Sequence, residues 1–174
     1  NILGIYFKIQ SFVFMPVFGL SSGSMPIMAY NYGARYKKRL TDTLKSALMF
    51  ALLIMLCGTL IFQFLPDKLL SLFNATPYMM QIGIPALRII SSCFVLAGFG
   101  ITLSTFFQSL GRGIYSLIMS LCRQLLVILP SAYILSALFG LGAVWWAYPI
   151  SEGVTLFICS FLALKIFRNE IAVM

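Results

Sequence analysis

The chain has 174 residues, a formal net charge of +8, 61% apolar residues, only 9% charged residues and a mean hydropathy of +1.00. A water-soluble fold of this length cannot hide so much apolar surface, so the composition excludes an ordinary soluble domain and calls for a bilayer. Histidine is absent, which removes the commonest metal ligand and any Ser–His nucleophile.

Five apolar stretches predict an all-α, polytopic helical membrane protein with five transmembrane helices of roughly 20 residues or more. Span one, residues 1–33, ends at Gly33, a natural helix cap ahead of the basic cluster Arg35, Lys37, Lys38 and Arg39. Asn1 already lies in an apolar run, without an initiating Met or signal peptide, so a fragment with its natural N-terminus upstream is expected. Within this span, the strip Gly19-Leu20-Ser21-Ser22-Gly23-Ser24 predicts close approach of another backbone.

Span two, residues 43–65, stops at Pro66-Asp67, and the short apolar piece Leu69–Phe73 is expected to lie along the interface. Span three, residues 77–110, is too long for one straight crossing at about 1.5 Å per residue, so it must tilt, bend or project. Gly111-Arg112-Gly113 breaks the chain before span four, residues 114–138. A turn at 139–142 leads into span five, residues 142–165.

One set of breaks carries Arg35, Lys37, Lys38, Arg39, Lys45, Arg112, Lys165 and Arg168, whereas the opposite set carries only Lys68, next to Asp67. By the positive-inside rule the basic set is cytoplasmic, with the observed N-terminus outside and the C-terminus inside. These basic residues read as topology signals and contacts to lipid headgroups, not as a nucleic-acid surface. Pro16, Pro26, Pro85, Pro130 and Pro149 each invite a helix bend. The four cysteines, Cys57, Cys93, Cys122 and Cys159, stand singly in the spans and read as small buried apolar residues.

Charges within the spans are the candidate functional residues. Lys8 lies about 40 Å along the helix from Arg35, and Arg88 about 36 Å from Arg112, which puts both near the outer interface. Arg123 and Glu152 instead fall near the bilayer centre, each about 16 Å from its nearest helix end. Counted from the turn between their helices they differ by about 9 Å in depth, so a water bridge is easier to build than a direct ion pair. Gln10, Gln63, Gln108, Gln124, Tyr6, Tyr30, Tyr133 and Tyr148 add polar points suited to interhelical hydrogen bonds.

The blocks Gly4–Phe12 through Pro16, Pro26–Arg35, Leu87-Arg88-Ile89, Phe107–Arg112, Arg123-Gln124 with Pro130, and Gly142–Glu152 resemble, in order, the second lobe of multidrug and toxic compound extrusion (MATE) transporters, of a bacterial branch. The resemblance covers essentially the whole chain. It implies five helices of an incomplete six-helix lobe, helices eight to twelve of twelve, with the first lobe and the seventh helix of the same chain as missing partners. It implies a multi-pass protein of the bacterial plasma membrane that exports amphipathic organic cations by antiport with Na⁺ or H⁺ through alternating access, without a cofactor, metal centre or enzymatic chemistry. The substrate and ion pathway then draws on Glu152, Arg123, Gln10, Lys8, Arg88, Tyr133 and Tyr148. Span three contains no Asp or Glu, which puts the family's second-lobe cation site in doubt here and turns attention to Glu152. The alternative is a flippase of lipid-linked glycans, for which Lys8, Arg88 and Arg123 would suit a phosphate headgroup. The membrane assignment predicts a purified chain that stays monodisperse in detergent or lipid alone; a single symmetric size-exclusion peak in plain buffer would contradict it.

Overall fold

The computed structural model describes residues 2–174, so Asn1, at the head of the expected 1–33 span, lies outside the described residues. The described residues are helical, with no strand. In chain order the helices are α1 (Ile2–Gly33), α2 (Lys37–Phe64), α3 (Pro66–Ser71), α4 (Pro77–Ser91), α5 (Phe94–Ser109), α6 (Gly113–Leu121), α7 (Leu129–Phe139) and α8 (Ala147–Ile166). A π-helical segment, Cys122–Ile128, joins α6 to α7, a 3₁₀ segment, Leu141–Trp146, leads into α8, and a second π turn, Phe167–Ile171, follows it. Four stretches are long and apolar enough to cross a membrane: Leu3–Gly33, Lys37–Phe64, Gly113–Phe139 and Leu141–Ile171. The bent pair α4–α5 makes a fifth when taken as one span.

The turns are built by local backbone chemistry. At three helix ends, a left-handed residue lets two backbone N–H groups fold back onto the last carbonyls. After α5 that residue is Gly111 (φ 74°), with Arg112 N–H donating to Phe107 O at 2.8 Å. After α3 it is Asn74 (φ 52°). After α1 it is Arg35 (φ 57°), with Tyr36 N–H donating to Asn31 O at 2.9 Å. The expected cap Gly33 is therefore still helical, and the basic cluster itself supplies the reversal. Pro66 and Pro77 open α3 and α4, where their missing N–H groups cost nothing.

Span three bends by 47° between α4 and α5. The bend falls at Ser92-Cys93, seven residues beyond Pro85, which stays within α4. The carbonyls loosened there are answered by neighbouring side chains. Gln63 Nε2 of α2 donates to Arg88 O at 2.8 Å and to Ser91 Oγ at 3.1 Å. Thr59 Oγ1 donates to Ser91 O at 3.2 Å, while Ser92 Oγ and Cys93 Sγ donate back to Ile89 O and Ile90 O. An apolar bundle needs this closure, because no solvent is present to satisfy a broken turn. Pro16 and Pro26 lie inside an unbroken α1, and Pro149 sits in the first turn of α8, so these three expected bends do not produce helix breaks.

Packing gathers into two apolar clusters at opposite ends of the bundle. At the basic end, Met28, Leu40, Leu103, Phe106, Ile166 and Ile171 join α1, α2, α5 and α8. At the other end, Val17, Met55, Phe62, Leu87 and Phe94 join α1, α2, α4 and α5. Phe94 is gripped edge-on by Phe14 and Phe62, with ring centroids 5.3 and 4.9 Å away. Phe12, Phe64, Leu138 and Phe157 are at least 70% exposed, the outward-facing oil expected of a lipid-solvated surface. Cys93 and Cys159 are buried as expected, but Cys57 is exposed on the outside of α2 and Cys122 is half-buried.

The close helix contacts do not use the Gly19–Ser24 strip, where a Cβ added at Gly19 or Gly23 meets nothing within 4 Å. They use Gly58, against Val13, and Gly98, whose added Cβ would stand 2.7 Å from Met55 Cγ. Gly98→Leu is accordingly expected to destabilise the bundle by about 1–3 kcal/mol through overpacking. Gly23→Ala should leave the melting point in detergent within error; equal melting points for the two variants would refute this assignment of the contacts.

Candidate functional site

Span four is interrupted midway along its length by a π-helical segment. Pro130, just beyond it, lacks an N–H and its ring crowds the carbonyl of Leu126, so the preceding turn widens. Arg123 is the second residue of that widened segment. Its own carbonyl accepts a hydrogen bond from Ser151 Oγ of α8 at 3.2 Å, which fastens span four to span five at this level.

Arg123 Nη1 donates to Glu152 Oε1 at 3.3 Å, a direct ion pair across the two helices. Counting along regular helices places the two groups about 9 Å apart in depth and favours a water bridge. The difference has a geometric cause. Six residues of 3₁₀ helix before α8 rise about 2 Å each instead of about 1.5 Å, which carries Glu152 about 3 Å deeper, and the long arginine side chain spans the remainder. The Glu152 side chain is 13% exposed and that of Arg123 33%. Neither charge could be held alone in hydrocarbon, and pairing is what makes both tolerable.

The pair borders a cavity of about 530 Å³. Its walls are aromatic and amphipathic: Tyr6 and Phe14 of α1, Phe94 of α5 and Tyr148 of α8, with Gln10 and Gln124 as uncharged polar points. Tyr6 and Tyr148 meet edge-on at 6.2 Å. Four of the seven sequence-derived candidates, Glu152, Arg123, Gln10 and Tyr148, thus come together around one space. Lys8, Arg88 and Tyr133 do not line it and are exposed on the bundle surface. Periodicity could not have separated these groups, because wall and exterior alternate within a single helical turn. Gln124 was visible beside Arg123, whereas Phe14 and Phe94 looked like ordinary apolar residues. Among the described residues no group of three or more His, Cys, Asp or Glu side chains is placed to hold a metal ion.

A second polar cluster closes the basic end. Glu170, in the π turn after α8, pairs with Arg112 and accepts a hydrogen bond from Tyr32 Oη at 2.9 Å, while Lys37 Nζ donates to Ala172 O at 3.2 Å. The last residues are thereby fastened to α1, α2 and the α5–α6 turn. Sequence reading assigns Glu170 no role, because its partners are up to 138 positions distant.

A bundle of bent, apolar helices with one internal charge pair beside an amphipathic cavity defines a polytopic membrane protein of the transporter type. The MatE family profile matches residues 2–134, and the chain belongs to that family. Among curated relatives, the multidrug export protein MepA of Staphylococcus haemolyticus is 30% identical over 171 residues, and that of Staphylococcus aureus strain NCTC 8325 is 27% identical over the same length. These alignments cover 98% of this chain but 37% of either relative. Among solved structures, the MATE multidrug transporter DinF-BH, in complex with a rhodamine dye, superposes with a TM-score of 0.85 at 32% identity, over 96% of this chain and 37% of that one. An outward-facing MATE transporter of the MOP superfamily gives 0.89 at 24% identity, over 99% and 39%, and attests the fold.

The ion pair makes a specific energetic prediction. Arg123→Met strands the Glu152 charge and is expected to cost about 3 kcal/mol, whereas Arg123→Met with Glu152→Met recovers most of that loss. Thermal unfolding in detergent measures both, and additive losses in the double variant would rule out coupling.

Proposed function

We propose that this chain is the second lobe, helices eight to twelve, of a bacterial plasma-membrane exporter that moves amphipathic organic cations by alternating access, in antiport with Na⁺ or H⁺. The observation that carries the proposal is the aromatic cavity with a single carboxylate, Glu152, in its wall. Aromatic faces attract organic cations and their apolar bodies, and a carboxylate supplies the counter-charge. The rhodamine dye bound to the related DinF-BH transporter is a ligand of just this chemistry. The chain spans 37% of its curated relatives, so a full transporter has room for another lobe. In the proposed cycle, drug and coupling ion compete for Glu152, and Arg123 holds the carboxylate while neither is bound. The basic ends, with Arg112, Lys165 and Arg168, face the cytoplasm under the positive-inside rule, which puts the first described residues outside.

The flippase alternative draws on clustered cationic side chains for a phosphate headgroup. Lys8 and Arg88 lie away from the cavity, and the guanidinium that does border it is already paired with Glu152. This disposition favours a cationic substrate.

Glu152→Gln in the full-length protein is expected to reduce dye efflux and its ion dependence at least several-fold, measured in proteoliposomes under imposed Na⁺ or pH gradients. Unchanged efflux and unchanged ion dependence would leave Glu152 a purely structural partner of Arg123. The isolated 174-residue chain is expected to move no dye, since one lobe cannot rock against itself.

A further inference from the structure

Below the aromatic cavity, toward the basic end, lies a second chamber of about 320 Å³ with a different lining. The residues order the two spaces along the bundle axis. On α1 the aromatic cavity runs from Tyr6 to Phe18, and the second chamber from Phe18 to Met25. On α8 the first holds Tyr148 and Glu152, and the second Thr155, one turn further in. Phe18, Ile101 and Arg123 border both, so they form the partition between them.

The inner chamber is lined by hydroxyls and an amide: Ser21, Ser104, Thr105, Gln108, Ser120 and Thr155. Most hydroxyls in this bundle are silenced by their own helix. Thr102 and Thr105, for example, donate to the carbonyls of Gly98 and Ile101, four residues back. Ser104, Ser116 and Gln108 bind one another. Ser21 Oγ and Thr155 Oγ1 do neither: both are buried, and neither has a hydrogen-bond partner among the described residues. Their residues are only 8% and 5% exposed, and they stand on opposite walls of the chamber. A buried hydroxyl without a protein partner is costly unless water meets it, and a polar space of this size holds several waters.

We propose that the inner chamber is a water-filled access route by which a monovalent cation, hydronium or Na⁺, reaches Glu152 from the basic end. This inference rests on the exporter reading for its role but not for its hydration. The charged and titratable groups around Glu152 are Arg123 of span four, Tyr6 of α1, Cys93 at the bend and Tyr148 of α8, with Cys159 further in against Met119. Arg123 is the one formal charge among them at neutral pH apart from Glu152 itself. An arriving cation therefore competes with Arg123 for the carboxylate. The released guanidinium has a polar space on its inner side, where hydroxyl oxygens can accept its hydrogen bonds. The partition then works as an exchange point: cation in from the hydroxyl side, organic cation from the aromatic side, one carboxylate between them.

The test uses the full-length protein in membrane vesicles of both orientations, with Cys57, Cys93, Cys122 and Cys159 replaced by Ala. Ser21→Cys and Thr155→Cys are exposed to a membrane-impermeant quaternary-ammonium methanethiosulfonate. Reaction from the basic side at least about tenfold faster than at the core control Ala51→Cys is expected, because access governs the rate. Ser104→Cys on the same chamber replaces either variant that fails to fold. Rates equal to the control, or reaction from the opposite side alone, would overturn the chamber. A second arm measures rhodamine efflux by the Ser21→Ala, Thr155→Val double variant. A several-fold loss under a pH gradient identifies hydronium, and under a Na⁺ gradient sodium, with equilibrium dye binding unchanged. Undiminished efflux under both gradients would overturn the access role. Reactive thiols in a parent protein that moves no dye would defeat the exporter reading and the access role with it, whereas unreactive thiols in a working exporter would defeat the chamber alone.

Discussion

The Arg123–Glu152 pair is the interaction on which the rest of this structure depends. A guanidinium and a carboxylate at mid-bundle carry a desolvation cost that nothing in a hydrocarbon environment can repay except each other and nearby polar groups. Their meeting at 3.3 Å sets the register of spans four and five. It also explains why those spans depart from regular α-helix where they do. The π segment after Leu121 presents Arg123, the 3₁₀ run before Ala147 lowers Glu152, and the Ser151–Arg123 hydrogen bond secures the carbonyl beside them.

The same rule, that polarity must be answered inside the protein, governs the 47° bend of span three. The bend is closed by Thr59 and Gln63 on a neighbouring helix, so α2 acts as a brace that fixes its direction. Bend and brace place Cys93 and Phe94 in the cavity wall, opposite the charge pair. At the basic end, Glu170 ties the terminal turn to Arg112 and Tyr32. Two apolar clusters at the ends and one polar layer between them result: rigid ends, with chemistry held at the middle. Such a division suits a lobe that moves as a body around a site near the midplane.

Much of this was legible from residue order. Apolar runs and their breaks marked the crossings, the excess length of span three forced a distortion, and counting from the helix ends brought Arg123 and Glu152 to mid-depth. Other features were hidden for definable reasons. The left-handed residue after α1 is Arg35, not Gly33, because two backbone N–H groups can return to Asn31 and Tyr32 only with the reversal one position past the last turn. The Gly19–Ser24 strip looked like a packing seam, but close packing needs a partner opposite the glycines, and the partners stand opposite Gly58 and Gly98. Lys8, Arg88 and Tyr133 were attractive as polar residues in apolar runs, yet side-chain direction, which depends on how neighbouring helices rotate, turned them outward.

By itself the sequence determined the solvent, the number of apolar crossings and which charges had to be buried, since these follow from transfer energies summed along a chain. The tertiary structure alone decided that the two buried charges touch, that four of the candidate residues share a wall, and that a hydroxyl-lined chamber lies beneath an aromatic one. Those outcomes turn on local helix pitch and rotation. A change of about half an ångström in rise per residue, accumulated over a single segment, is enough to make or break them.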